Sequence, residues 1–362
     1  MSSLLLYGSY GFVGSLVAEA AVDRGVDVIL AGRDGDRVVD QVDELGRPGR
    51  RFALDDPSTV AEALDDIECV LNCAGPFSNT ADPLVEACIR TGTDYVDVTG
   101  EIPVIESIHD RDGDAREAGV TLLPAAGFSV IAMDCLAAHL AERFPGASAL
   151  ALGVDSIRVP SVGTLRTVVE GVDTGGAIRR NGHLERVPAG WQTRWLDFGH
   201  GERPAVTVPM GDVSAAYYTT GVPNVEVYAM VPPPARLGLK SHRLLAPVLA
   251  RDPVQRALKA AADLVREGPS ERARERGSAL VWGEAREGDV RVVSRLETPD
   301  PYVVTVDGAV AAARRVLAGD ADEGFCTPAG AFGPEFVFDL ERASGSFDDD
   351  EKQIESGAMP AE

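Results

Sequence analysis

Lysine is almost missing from this chain: Lys240, Lys259 and Lys352 are its whole complement in 362 residues. With 34 Lys plus Arg against 57 Asp plus Glu, the net charge is −23, which excludes a nucleic-acid surface, since phosphate backbones are held by cations. Many carboxylates with few ammonium groups suit concentrated salt, where like charges are screened over a few Å, and point to a halophilic source. The alternative is an acidic face for a basic partner, but the acids are spread along the chain rather than massed in blocks. Cysteine is also sparse. Cys69, Cys73, Cys88, Cys135 and Cys326 form no C-x-x-C pair and sit in apolar runs, as expected of a cytoplasmic protein in a reducing compartment. The histidines show no H-x-x-x-H spacing, so no metal site is expected. No basic leader precedes the first apolar run, and no secretory signal is read. The longest apolar stretch, Thr121 to Met133, is broken by Pro124 and Gly127 and runs into Asp134, too short to span a bilayer.

What is present begins with an α/β pattern. Leu4 to Tyr7 is a continuous apolar run, as in a parallel strand buried on both faces. Val13, Leu16, Val17, Ala20 and Ala21 follow at helical spacing up to Gly25. Further strands are expected at Val26 to Ala31, up to Leu54-Asp55, at Cys69 to Ala74, Tyr95 to Val98 and Val120 to Leu123. Asp56-Pro57 and Asp82-Pro83 each read as a cap followed by a first-turn proline. Six strands with helical crossovers make a doubly wound parallel sheet. From about Ile131 strands and helices alternate irregularly, which reads as a second α+β domain for substrate or dimerisation. The expected division is 1–130, then 131–342, with part of 301–342 packing back on the first domain. An Asp-, Glu-, Ser- and Gly-rich stretch at 343–362 reads as a disordered tail. The greasy, helical 235–268 segment is either packed on the second domain or a lid facing lipid at a membrane surface.

Gly8-x-x-Gly11-x-x-Gly14 lies between a buried strand and an amphipathic helix, the context of a dinucleotide fingerprint. Gly8 permits the turn, Gly11 lets backbone approach a pyrophosphate, and Gly14 lets helix and strand pack. The loop Gly8, Ser9, Tyr10, Gly11, Phe12, Val13 and Gly14 would hold phosphates on the helix N-terminus. At the end of the second strand an NAD enzyme carries a carboxylate for the ribose 2′-hydroxyl. This chain has Ala31-Gly32-Arg33 there, and an arginine forks onto a 2′-phosphate, so the cofactor read from these residues is NADP(H). The other reading pairs Arg33 with Asp34 or Asp36. Asp55 is placed for the adenine; Asn72, Ala74, Gly75, Pro76, Phe77 and Thr99 line the ribose and nicotinamide, with Phe77 equally readable as core. No tyrosine heads a Y-x-x-x-K pair and no nucleophile elbow occurs, which weighs against short-chain dehydrogenase chemistry. Candidates to donate a proton or orient the acceptor are Thr99, Glu101, Asp134 and Tyr217-Tyr218, each also readable as a cap or packing residue.

The stretches YGSYGFVG, LAGRDGDRV, VLNCAGPFSNTADPLVEACIRTGTDYVDVTGE and VTLLPAAGFSVIAMD, with GDVSAAYYTTGVPNVEVY and GFCTPAGAFGPEF later, resemble the saccharopine dehydrogenase-like oxidoreductase family, in particular its branch of bacterial trans-acting enoyl reductases. The resemblance implies a Rossmann-type NADP(H)-binding domain joined to an α+β substrate domain. It fixes the cofactor better than the substrate. Relatives act on amino-acid imine linkages or on a carbon-carbon double bond of lipid-linked intermediates. The branch usually has Cys-Gly-Phe-Asp where this chain has Ala126-Gly127-Phe128-Ser129, so that aspartate's role has no counterpart here; Asp134 matches a separate family position. Three functions follow as expectations: an NADPH-dependent reductase of an activated enoyl-type bond in a lipid or isoprenoid-like intermediate, with Tyr218 or Asp134 near the acceptor; a C–N oxidoreductase of an amino-acid derivative, using Arg158, Arg166, Arg179 and Arg180; or a non-catalytic NADP(H)-binding protein. A homodimer is expected by analogy alone.

Overall fold

The protein is described here from a computed structural model, covering residues 4–156, 175–231, 254, 268–343, 345–351 and 353–354. The first sheet contains β1 (Leu4–Tyr7), β2 (Val28–Gly32), β3 (Gly49–Arg51), β4 (Cys69–Asn72), β5 (Asp94–Asp97) and β6 (Thr121–Leu123). They pair in parallel in the order β3-β2-β1-β4-β5-β6. The crossovers are α1 (Phe12–Asp23), α2 (Gly35–Leu45), α3 (Pro57–Glu62), α4 (Ala81–Thr91), α5 (Ile102–His109) and α6 (Asp112–Ala118). β1 is apolar throughout because both its faces are covered, and each of its buried leucines contributes about 2 kcal/mol. Asp34 caps α2 by accepting from the Arg37 N–H, and Gly46 ends it in the left-handed conformation that glycine adopts without strain.

The second sheet is mixed. Its strands are β7 (Ala149–Asp155), β8 (Gly176–Arg180), β9 (His183–Val187), β10 (Thr193–Asp197), β11 (Glu202–Thr207), β12 (Asn224–Met230), β13 (Ser278–Glu287) and β14 (Val290–Pro299). Around it lie α7 (Phe128–Arg143), α8 (Asp212–Thr220), α9 (Glu271–Glu275), α10 (Pro301–Leu317) and α11 (Pro328–Phe332). α10 packs on α1, β4 and β5, and a seventh strand, β15 (Gly324–Phe325), pairs in parallel with β6. α7 and α10 join the two sheets, and one apolar cluster runs from Leu4 and Leu6 through Ile131, Leu136 and Val310 to Val281 and Leu296.

Several expectations are corrected. β3 ends at Arg51 rather than at Asp55, which leaves Asp55 in an exposed loop. Asp56-Pro57 does start α3, Asp56 accepting from the Ser58 N–H. At Asp82-Pro83 the helix is already under way from Ala81, and Asp82 accepts instead from the Ser107 hydroxyl at 2.8 Å. α7 begins at Phe128, three residues before Ile131, because the Thr305 hydroxyl accepts the Phe128 N–H at 3.1 Å and so satisfies an otherwise orphan donor. The tail is not wholly disordered: β16 (Asp348–Asp349) and β17 (Gln353–Ile354) pair with β14, Phe347 stacks on His139, and Arg295 holds Asp350 at 2.7 Å. The 235–268 segment lies almost entirely outside the described residues, as do Arg158 and Arg166.

Candidate functional site

Because every strand of the first sheet is parallel, their carboxyl ends share one edge, and the strand order reverses between β1 and β4, where dinucleotides seat. Gly8 turns there with φ +80°, its N–H donating to the Ala31 carbonyl at 2.8 Å. A Cβ on Gly8 would lie 2.7 Å from the Ala74 Cβ, and one on Gly14 would lie 2.1 Å from the Gly8 carbonyl oxygen. The loop thus closes only with glycine at both positions. Gly11 is the N-cap of α1 and offers no capping side chain, so the Phe12, Val13 and Gly14 N–H groups are left for an anion. The Phe12 ring turns away to an edge contact with Tyr302 at 5.3 Å, and Val13 packs on the core, so both serve a ligand through backbone only. Ser9 is fully buried, and its hydroxyl has no partner among the described residues.

Arg33 stands exposed beyond β2 and pairs with neither Asp34 nor Asp36, among the described residues. Two further arginines join it that the sequence reading missed. Arg37 donates to the Tyr10 carbonyl at 2.8 Å and lies over the Tyr10 ring, while the Arg51 Nε donates to the Arg33 carbonyl at 3.4 Å. Neither has a carboxylate partner among the described residues. Three such guanidinium groups in a chain of net charge −23 make a local cationic socket that suits a phosphate. The Tyr10 ring covers Gly32, and its hydroxyl accepts from the Asp34 N–H at 3.0 Å. Asp55 is near enough to Tyr7 for its charge to help raise that phenol to about 12, chiefly an effect of burial.

Beyond β4, Asn72 is buried; its amide donates to Tyr95 and Thr80, and its carbonyl accepts the Ala74 N–H at 3.0 Å. This shapes the run Ala74, Gly75, Pro76, Phe77, with a cis peptide at Gly75-Pro76 and Phe77 partly buried against the core. Glu101, expected to handle protons, accepts the Phe77 and Ser78 N–H groups at 3.0 Å each, which makes it the brace of that turn. Thr99 is buried and accepts the Glu101 N–H. Asp97, not singled out from the sequence, accepts from Tyr95, Thr99 and Ala125, tying the ends of β5 and β6 together. Burial pushes it up to about 6 against the opposing pull of those donors.

α8 of the second sheet's half docks on this edge. The Gly211 N–H donates to the Gly100 carbonyl at 3.0 Å, an approach so close that a Cβ on Gly211 would meet Ile105 at 2.7 Å. From there α8 runs beside α5 and α7, away from the edge. Tyr218 lies about 9 Å further along, where its hydroxyl donates to Glu106 at 2.8 Å and its ring stacks on His109 at the far end of α5. Arg179 completes that seam, bridging Glu106 at 2.5 Å beneath the Tyr217 ring. Asp134 is likewise committed: buried in α7, it accepts from Thr219 at 2.5 Å and from the Ala329 N–H at 2.9 Å. Burial raises it to about 6. Tyr218 and Asp134, expected at the acceptor, are therefore seam residues below the edge, drawn there by partners on other elements.

Residues 4–123 match the family described as saccharopine dehydrogenase NADP binding domain. The cofactor of this half is NADP(H), and the glycine turn, the uncapped α1 and the arginine socket fit it. The chain is similar to a trans-acting enoyl reductase of Mycobacterium ulcerans, 33% identical over 39% of this chain and 35% of that protein, and to a saccharopine dehydrogenase-like oxidoreductase of Mus musculus, 28% identical over 36% and 35%. The matched part is thus about a third of the length of these relatives. The whole fold is similar to that of saccharopine dehydrogenase (L-Glu forming) from Saccharomyces cerevisiae, with TM-score 0.66 and 15% identity over 97% of this chain and 100% of that one. No helix among the described residues is long and apolar enough to cross a membrane.

Proposed function

We propose that the protein is an NADPH-dependent oxidoreductase that reduces an activated, enoyl-type double bond of a lipid or isoprenoid-like intermediate. The observation that carries this reading is the docking of α8 on the β5 loop, which brings the second domain against the edge of an NADP-binding sheet, where an acceptor would meet the nicotinamide. The similarity to trans-acting enoyl reductases supports the choice of bond. When bound, NADPH supplies the hydride. The chain's own residues supply the rest: α1 and the glycine turn hold the pyrophosphate, Arg33, Arg37 and Arg51 hold the 2′-phosphate, and Glu101 and Asn72 set the turn under the nicotinamide.

The C–N reading has lost part of its motive. Arg179 is bound to Glu106 and Arg180 to Glu185, which leaves neither free for a substrate carboxylate. Purified protein with NADPH and a panel of enoyl thioesters, enones and imines tests both, with cofactor oxidation followed by absorbance. Turnover of an enoyl or enone acceptor supports the proposal. Turnover of imines alone moves it to C–N chemistry, and none with any acceptor overturns it.

A further inference from the structure

The seam leaves one acid uncommitted. Asp212, the first residue of α8, is 1% exposed, and among the described residues neither of its carboxylate oxygens makes a well-formed hydrogen bond; the donors that bear on it are the Ser129 hydroxyl and its own N–H. The other buried acids around it are saturated: Asp97 by three donors, Asp134 by Thr219 and the Ala329 N–H. A buried carboxylate so poorly supplied with donors is a costly arrangement that folding alone does not favour. Its position is that of the edge itself, one residue after the Gly211 to Gly100 hydrogen bond and opposite Ser129 in the first turn of α7. The loop after β5 thus meets the second domain one residue before this side chain.

We propose that Asp212 is the proton donor of the cleft: a neutral carboxylic acid that protonates the acceptor atom left electron-rich by hydride delivery. This rests on the reductase reading above. The surroundings favour the neutral form. From α7, the charged group facing Asp212 is Asp134, whose negative charge opposes ionisation, and Ser129 brings a hydroxyl; from the β5 loop, Gly100 brings backbone. Burial is the largest influence and holds the acid at about 7, which matches what a general acid needs near neutral pH. The step balances as follows. The substrate's double bond accepts a hydride from the reduced dinucleotide at one carbon, its π pair shifts to the other end, and that end takes the proton from the Asp212 O–H. The carboxylate left behind regains a proton from water entering the cleft, and the dinucleotide leaves oxidised.

The experiment compares wild type with Asp212→Asn, and uses Asp212→Glu as the variant that keeps an acid. In cofactor-free protein, pH-resolved infrared spectra are expected to lose one protonated-carboxyl band in Asp212→Asn, a band that persists in wild type to near pH 7. If the two proteins give the same spectra, or the lost band titrates in the ordinary carboxylate range, the proposal is overturned. With an acceptor that wild type reduces, Asp212→Asn is expected to lose about 100-fold or more in kcat while NADPH affinity stays within about threefold, and Asp212→Glu recovers part of the rate. Turnover by Asp212→Asn within about threefold of wild type overturns the role while leaving the reductase reading intact. Should wild type reduce no acceptor, the reductase reading falls, and the proton-donor role falls with it whatever the infrared arm reports of the acid.

Discussion

At the end of β2, Arg33, Arg37 and Arg51 have no carboxylate partner among the described residues, whereas four arginines around α7, α10 and the second sheet are each paired with an acid. Arg24 reaches Asp307 at 2.6 Å, Arg143 reaches Asp349 at 3.1 Å, Arg179 reaches Glu106 at 2.5 Å and Arg295 reaches Asp350 at 2.7 Å. In a chain so rich in acid, an arginine has many carboxylates to pair with. The cluster at the end of β2 gathers three that are unpaired among the described residues, and it lies where we propose that a 2′-phosphate binds. The same contrast sorts the acids: Asp134 is buried and firmly bonded, Asp212 is buried with no well-formed hydrogen bond among the described residues.

The saturated class should matter to stability and not to cofactor binding. Asp307→Ala leaves Arg24 and Arg342 without the buried carboxylate they share and is expected to cost about 3 kcal/mol, read as a lower denaturant midpoint with unchanged NADPH affinity. A variant that weakens NADPH instead would break the distinction. The bare class should do the reverse. Arg33→Ala combined with Arg51→Ala is expected to weaken NADPH about 100-fold by titration, with NADH little changed and stability within about 0.5 kcal/mol; Arg33→Asp should bring the two cofactors to similar affinity.

How much of this was legible beforehand follows the reach of each interaction. The β1 run, the glycine turn, Arg33 and the Asp56-Pro57 cap are local, and each was readable from a handful of neighbours. Arg37 and Arg51 were not, since α2 and β3 are brought together by sheet order, and Gly35 leaves the room Arg51 needs, a Cβ there lying 2.8 Å from its Cδ. Asp212 was hidden for the same reason: GDVSAAYYTTG reads as an ordinary helix start until Gly211 is seen against Gly100. Tyr218 and Asp134 looked like site residues because nothing in sequence marks Glu106 or Thr219 as their partners. β15, two residues long and some 200 positions after its neighbour β6, carries no periodicity to read.

Acid-base behaviour should separate the buried acids from the paired ones. Asp97, Asp134 and Asp212 have folded values of about 6, 6 and 7, above the unfolded value of about 3.9. Their contribution is full below that unfolded value and is lost as pH rises through about 6 to 7. Asp307 and Asp349 are held low, which favours the fold above the ordinary carboxylate range and is lost as pH falls through their folded values. Denaturation midpoints measured across pH are thus expected to peak in the mildly acidic range, and Asp212→Asn should flatten the alkaline fall. The smallest effect expected is that of salt, molar concentrations raising the midpoint modestly by screening the surface acids; a midpoint that drops would count against the halophilic reading.

The strap at 348–354 has a consequence for how molecules behave toward each other. Without it β14 would end the second sheet as a bare edge ten residues long, a template onto which another chain's strand could add. Asp348 and Asp349 occupy part of that edge opposite Arg295 and Ser294; the Asp348 carboxylate faces solvent, and the Asp349 carboxylate is held by Arg143, His139 and Ser294. Removal of the residues after 343 should therefore appear first as self-association, before any loss of fold or cofactor.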